Sequence, residues 1–259
     1  AYTSSTGTFT TAAWDAALTA GDYVLLTPTH LIPSHWDKNG PTIIYCDDGG
    51  SNGEGTSWES AKTTFIAAYG LCNAGDTILV GENHNENWTQ AAQPTLNVAG
   101  VTVIGMGTGD SRPLFDHDTN ATVVLTIDNA GITLKNLRFK AGITNVAIGI
   151  RVEDAALGTT IEDCAFIDGE VPGTDEYIDC ISIDAVANDV TVRNCTYYST
   201  GDGCGTFVNL DDGAIENVTI EGCTVFGPFA EAPIWSDDAL VNAVFKDNVL
   251  TNTTSGEHC

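Results

Sequence analysis

Two pairs of adjacent carboxylates stand out in the C-terminal part of the chain, Asp211 with Asp212 and, 26 residues further on, Asp237 with Asp238. Two carboxyl groups held about 5 Å apart are the equipment of a retaining glycosidase, one acting as nucleophile and the other as acid and base. Loop acids in an acidic chain are the plainer reading. A second candidate runs from Asp48 to Glu59. It places an acid at position one of a twelve-residue calcium loop, Asn52 at five, Gly53 at six and Glu59 at twelve, with Glu54 as a further oxygen donor. Gly50 fills position three, where a ligand belongs, so an ordinary turn competes with calcium there. Eight cysteines include no C-x-x-C pair, so neither a zinc ribbon nor a c-type haem site is expected. None of His30, His35, His84, His117 and His258 lies beside the acid pairs in sequence.

Whether the acid pairs converge depends on the elements that carry them, and the chain repeats. TLKNLRF from Thr133, TIEDCAF from Thr160, TVRNCTY from Thr191, TIEGCTV from Thr219 and VFKDNVL from Val244 are versions of one unit. Two weaker copies, ILVG and TVIG, end at Gly81 and Gly105. The fourth residue of each copy gives the series Gly81, Gly105, Asn136, Asp163, Asn194, Gly222 and Asp247, spaced by 24 to 31 residues. A period of that size marks a stacked architecture. An apolar residue stands two before each marker (Leu79, Val103, Leu134, Ile161, Val192, Ile220, Phe245), and in the later copies a charged residue stands just before it. That is the in and out alternation of a strand.

Gly, Asn and Asp enter the left-handed region most readily, so each marker predicts a sharp bend. Beyond it the inward positions are expected to be Met106, Leu137, Cys164, Cys195 and Cys223, then Phe139, Phe166, Tyr197, Val225 and Leu250. Further extended runs at 123–127, 147–152, 180–184, 205–210 and 232–235 complete each coil. Several short strands per coil, stacked about 4.8 Å apart, predict an all-β fold, a right-handed parallel β-helix, over residues 76–259.

In such a stack Lys135, Glu162, Arg193, Glu221 and Lys246 form an outer column of alternating sign. This predicts an ion-pair ladder, each exposed pair contributing about 0.2 to 1 kcal/mol. Cys164, Cys195 and Cys223 share one inward slot, where Cβ atoms about a coil rise apart are too distant for the ~3.5 to 4.5 Å of a disulfide. Reduced, buried thiols are expected.

Ahead of the coils, residues 41–75 read as a strand, a Gly-rich loop and a helix in which Trp58, Ala61, Phe65, Ala68, Tyr69 and Cys72 recur at helical spacing behind Ser57 as N-cap. That helix is expected to plug the open end of the stack. The order of strand, Gly-rich loop, S-W-x-x-A helix, G-D-T-I-x-V strand and coils resembles the pectate-lyase-like superfamily of parallel β-helix proteins over roughly 41–259. VTVIGMGTGDSRPLFDHDT followed by GITLKNLRF is similar to a group of bacteriophage-encoded β-helix proteins. The resemblance implies a virion origin and carries over no catalytic residue. The N-T-D, G-H-G and R-I-K signatures of polygalacturonase-type hydrolases are not present. The ladder also holds three of only nine Lys and Arg, leaving few for the arginine base of a lyase.

A net charge of −26 repels phosphate backbones and anionic lipid, and no stretch approaches the ~18 to 20 apolar residues of a membrane span. Nucleic acid and membrane are therefore not expected as partners. The expectation is a non-enzymatic virion protein without a cofactor. Residues 1–40 would be an arm binding a capsid or tail protein, and self-association, as a trimer, would cover the arms and the C-terminal end. The alternative is a glycan hydrolase or lyase of the tailspike or secreted type, using Asp211, Asp212, Asp237 and Asp238; a glycan-binding module is a third reading.

Overall fold

The computed structural model describes residues 2–3, 8–9, 42–89, 93–171, 174–184, 186–199, 204–210 and 213–254. Residues 2–3 and 8–9 form a two-stranded antiparallel pair; the rest of the predicted arm, Asp211 and Asp212 lie outside the described residues. Among the described residues the body is a parallel β-helix with three long stacked sheets and a two-stranded parallel pair, Ile215–Glu216 with Leu240–Val241. The first sheet has eight strands, from Ile43–Cys46 through Thr77–Val80, Thr102–Gly105, Thr133–Lys135, Thr160–Glu162, Thr191–Arg193 and Thr219–Glu221 to Val244–Lys246. The second has seven, from Asn85–Asn87 to Val249–Asn252, and the third six, from Thr95–Leu96 to Ile234–Trp235.

Side chains two before the marker stack inward in register, with Ile78, Val103, Leu134, Ile161, Val192 and Ile220 buried. The slot in the first copy belongs to Ile78 rather than Leu79, which pairs with Ile104 on the outer face. Val80, not Gly81, is therefore the register partner of Gly105. The bends are left-handed at Asn136, Asp163, Asn194, Gly222 and Asp247, with φ between 53° and 65°. Gly81 and Gly105 are not left-handed; at Gly105 a Cβ would meet the Asn136 carbonyl at 2.2 Å, which only glycine avoids, and at Gly81 it would crowd the Asp47 side chain, with Oδ2 at 2.7 Å. Met106, expected inside, is exposed, since the weaker copy does not make the same two-residue bend.

The corner leading into the first sheet carries a second column of left-handed residues that the repeat reading passed over. Gly75, Gly100, Gly131, Gly158, Asp189, Asn217 and Asn242 each precede the first residue of a first-sheet strand by two, with φ between 56° and 84°. Asn217 Nδ2 donates to Asp189 Oδ1 at 2.9 Å and Asn242 Nδ2 to Asn217 Oδ1 at 3.1 Å, so side-chain amides tie successive coils.

The helix is shorter than predicted, Phe65–Tyr69, and Thr64 rather than Ser57 caps it, its Oγ1 accepting from Ala67 N–H at 3.3 Å. Residues 58–62 are drawn off because Lys62 bridges Cys46, covering the outer edge of the first strand that would otherwise be unpaired. Phe65 does close the end as expected, packing on Phe115 at 5.4 Å between centroids. Phe115, Phe139, Phe166 and Tyr197 then run through the core in register. At the other end Phe245 occupies the column of Ile220 yet is 46% exposed against 0%.

Candidate functional site

Three polar groups are built into this stack. On the outer face of the first sheet Lys135, Glu162, Arg193, Glu221 and Lys246 are in register as predicted. Lys135 Nζ lies 2.7 Å from Glu162 Oε1, the Arg193 guanidinium bonds Glu162 Oε2, and Lys246 Nζ lies 2.6 Å from Glu221 Oε2. Arg193 turns toward Glu162, and no ion pair joins it to Glu221 among the described residues, so the ladder is a triad and a pair. Glu162 is buried beneath its partners rather than exposed. Burial alone would raise its carboxyl, but Lys135 and Arg193 hold it below the usual range.

At the end of the second sheet, Asp116 pairs with Lys140 across one coil, Oδ2 to Nζ 3.0 Å. Burial pushes the Asp116 carboxyl up against the pull of that ammonium. Asp118 accepts from Asn87 Nδ2 at 2.7 Å. Between them His117 turns inward, fully buried, with Nδ1 3.1 Å from the Tyr177 hydroxyl and 3.3 Å from the Lys140 carbonyl. Burial lowers the imidazole to about 4. One coil on, Tyr197 donates to Asp168 Oδ1 at 2.6 Å, and burial raises that carboxyl too.

The third group lies at the N-terminal end. His84 Nδ1 accepts from the Asp48 amide at 2.9 Å, which leaves Nε2–H to donate to Glu86 Oε2 at 3.2 Å. The same Glu86 oxygen accepts from Phe65 N–H at 2.6 Å and anchors the capping helix. Cys46 Sγ completes a cluster with His84 and Glu86 whose ligand atoms all lie within 4.8 Å of one another; Asp47, Asp48 and His84 form a second such cluster.

Of the predicted calcium loop, only Asp48 belongs to a cluster of potential ligands among the described residues. Asn52 is a left-handed turn residue, and Glu54 and Glu59 are exposed. Asp237 and Asp238 are exposed in a bend after Ile234–Trp235. Cys164, Cys195 and Cys223 are buried free thiols in one column, each with Sγ 3.3 to 3.6 Å from the carbonyl two residues earlier. Cys46, His84, Glu86, Asp116, His117 and Lys140 were not singled out as sites from sequence. The signal for the first three was an H-x-E triplet entering the second sheet, which points to a cluster only once Cys46 is stacked beside it.

No family model and no curated protein matches the chain. A solved structure of a rhamnogalacturonan lyase is similar over 82% of this chain and 60% of that one, with a TM-score of 0.53 and 14% identity. The chain thus has the pectate-lyase-like right-handed parallel β-helix fold, and it spans less than two thirds of that enzyme's length. At that identity the likeness extends to the fold alone.

Proposed function

We propose that this chain is a non-enzymatic structural β-helix of a virion, decorating or cementing a capsid, with a tail position as the second placement. In this reading it needs no cofactor and associates with itself as a trimer. Residues 1–40 attach it to a capsid or tail protein. The observation that carries the reading is how many of the few cations are committed to neighbouring coils. Six cations, Lys135, Arg138, Lys140, Arg151, Arg193 and Lys246, are in ion pairs, five of them with a residue at least 24 positions away in sequence. Both ring nitrogens of His84 are hydrogen-bonded and His117 is sealed in the core, so neither imidazole is placed to serve a substrate. A scaffold is stiffened by such commitments, whereas a general base must be reachable.

The test is electron microscopy of the source particle, with the purified chain assayed in parallel on neutral and acidic polysaccharides. Copies at symmetric positions on a shell or tail, with no glycan cleaved, are the expected result. Cleavage lost on Asp237→Asn or Asp211→Asn would overturn it in favour of a glycan-degrading enzyme. The raised Asp116 carboxyl beside Lys140 is the observation that favours that second reading.

A further inference from the structure

We infer that Cys46, His84 and Glu86 form a binding site for a single borderline-soft divalent cation of the zinc class, at the seam between the first coil and its capping helix. Thiolate, imidazole and carboxylate within 4.8 Å of one another are a zinc donor set. Cys46 and His84 are fully buried, and the backbone holds them in place. Cys46 ends the first strand, while His84 and Glu86 flank the entry to the second sheet one coil later.

The second observation is the thiol itself. Cys72, Cys164, Cys195, Cys204 and Cys223 each direct Sγ toward a backbone carbonyl within 3.9 Å. Cys46 and Cys180 have no such bond among the described residues, and of these two only Cys46 has its sulfur beside a carboxylate and an imidazole. Glu86, Asp47 and Asp48 set negative charge around this buried sulfur, which favours a cation beside it.

Binding requires three coupled changes, at Cys46, His84 and the Asp48 amide. Without metal the His84 proton sits on Nε2, because Nδ1 accepts from the Asp48 amide. On binding, the Cys46 thiol releases its proton to solvent and the metal–sulfur bond forms. The imidazole stays neutral with its proton moved to Nδ1, and the Asp48 amide turns outward in its exposed turn. The Asp47 and Asp48 carboxylates lie within 4.8 Å of a His84 ring nitrogen, close enough for one of them to turn and accept the relocated proton's hydrogen bond, the usual support behind a metal-bound histidine. Glu86 keeps one oxygen on Phe65 N–H and offers the other to the metal.

The experiment titrates Co2+ and Zn2+ into the reduced, chelator-treated full chain. One Co2+ per chain should bind with a thiolate-to-cobalt charge-transfer absorption, and calorimetry in two buffers should show about one proton released per Zn2+. Cys46→Ser should abolish the absorption, Glu86→Gln should weaken binding by about ten-fold or more, and Cys164→Ser should leave both unchanged. Weak binding at many sites, equal for Ca2+ and Zn2+ and indifferent to Cys46→Ser, would overturn the inference and assign the cations to the acidic surface. Should Cys46→Ser not fold, X-ray absorption of the Zn2+-loaded native chain decides: a sulfur and an imidazole in the shell support the site, and an all-oxygen shell refutes it.

Discussion

His117 makes stability depend on pH in a direction that can be worked out. Its folded pKa is about 4 against an ordinary 6.5, because burial disfavours the imidazolium. Between those values the unfolded chain binds a proton that the fold refuses, so the contribution is fully present above pH 6.5 and is lost as pH falls toward 4. At about 1.4 kcal/mol per pH unit the whole span is worth about 3 kcal/mol, of which about 2 is already lost at pH 5. Asp116 and Asp168, whose carboxyls burial raises, act in the opposite sense: their penalty at neutral pH is relieved as pH falls through their folded values. Wild type must therefore be compared with a variant that leaves those acids in place. His117→Gln retains a polar side chain for Tyr177 and cannot charge. Urea unfolding at pH 7 and pH 5 should show the wild type losing about 2 kcal/mol more than the variant over that interval. Parallel pH profiles would refute the reasoning, since they would mean that His117 is hydrated, or that the fold opens to let it charge at little cost.

Glu162→Gln removes the anion between Lys135 and Arg193 and should cost about 1 to 3 kcal/mol by chemical denaturation, less than a fully buried pair because both cations reach solvent. A cost below about 0.5 kcal/mol would show the triad to be ornamental. Asn217→Ala should cost about 1 to 2 kcal/mol more than Asn217→Gly, because at φ 58° alanine adds backbone strain to the lost amide bonds that both variants share. Equal midpoints for the two would disprove that partition. Ile220→Ala should cost about 2 to 5 kcal/mol, and Phe245→Ala about half as much or less in the isolated chain. Should Phe245→Ala match it in scanning calorimetry at high protein concentration, the end is covered by another molecule.

The repeat unit made the coils legible because its two periodicities, apolar residues at alternate positions and a bend former at the fourth, both survive in the later copies. It failed in the earliest copies for a physical reason. Gly81 and Gly105 are glycine through crowding, not through conformation, and the letter is the same in either case. The second bend column is written in the sequence as G-x-T, D-x-T and N-x-T ahead of six of these strands and as N-A-V ahead of Val244–Lys246, outside a repeat unit that starts at the strand's first residue. The helix start was misplaced because Trp58 and Ala61 fit its spacing. A bare strand edge at Ile43–Cys46 claims Lys62 first, and that competition is long-range. The candidate metal cluster was hidden likewise, since Cys46 and His84 are 38 positions apart and meet only through the coil register.

The way the coils are fastened changes along the axis. Toward the N-terminal end the second-sheet column is aromatic, and Phe65 and Trp88 extend it, Trp88 stacking on Phe115 at 4.6 Å. Each such ring buries about 150 to 250 Å², several kcal/mol of gross apolar transfer. Beyond Tyr197 the column shrinks to Val225 and Leu250, and polar stitches take over. The Asp189, Asn217 and Asn242 amide chain lies on one corner. On the other, Asn248 bonds Cys223 N and the Ile220 carbonyl at 2.9 Å each. A net hydrogen bond contributes only about 0.5 to 1.5 kcal/mol, so these fix register without replacing the lost apolar burial. Among the described residues the last coil is therefore the weakly held end of the stack, with Phe245 left 46% exposed where Ile220 is fully buried.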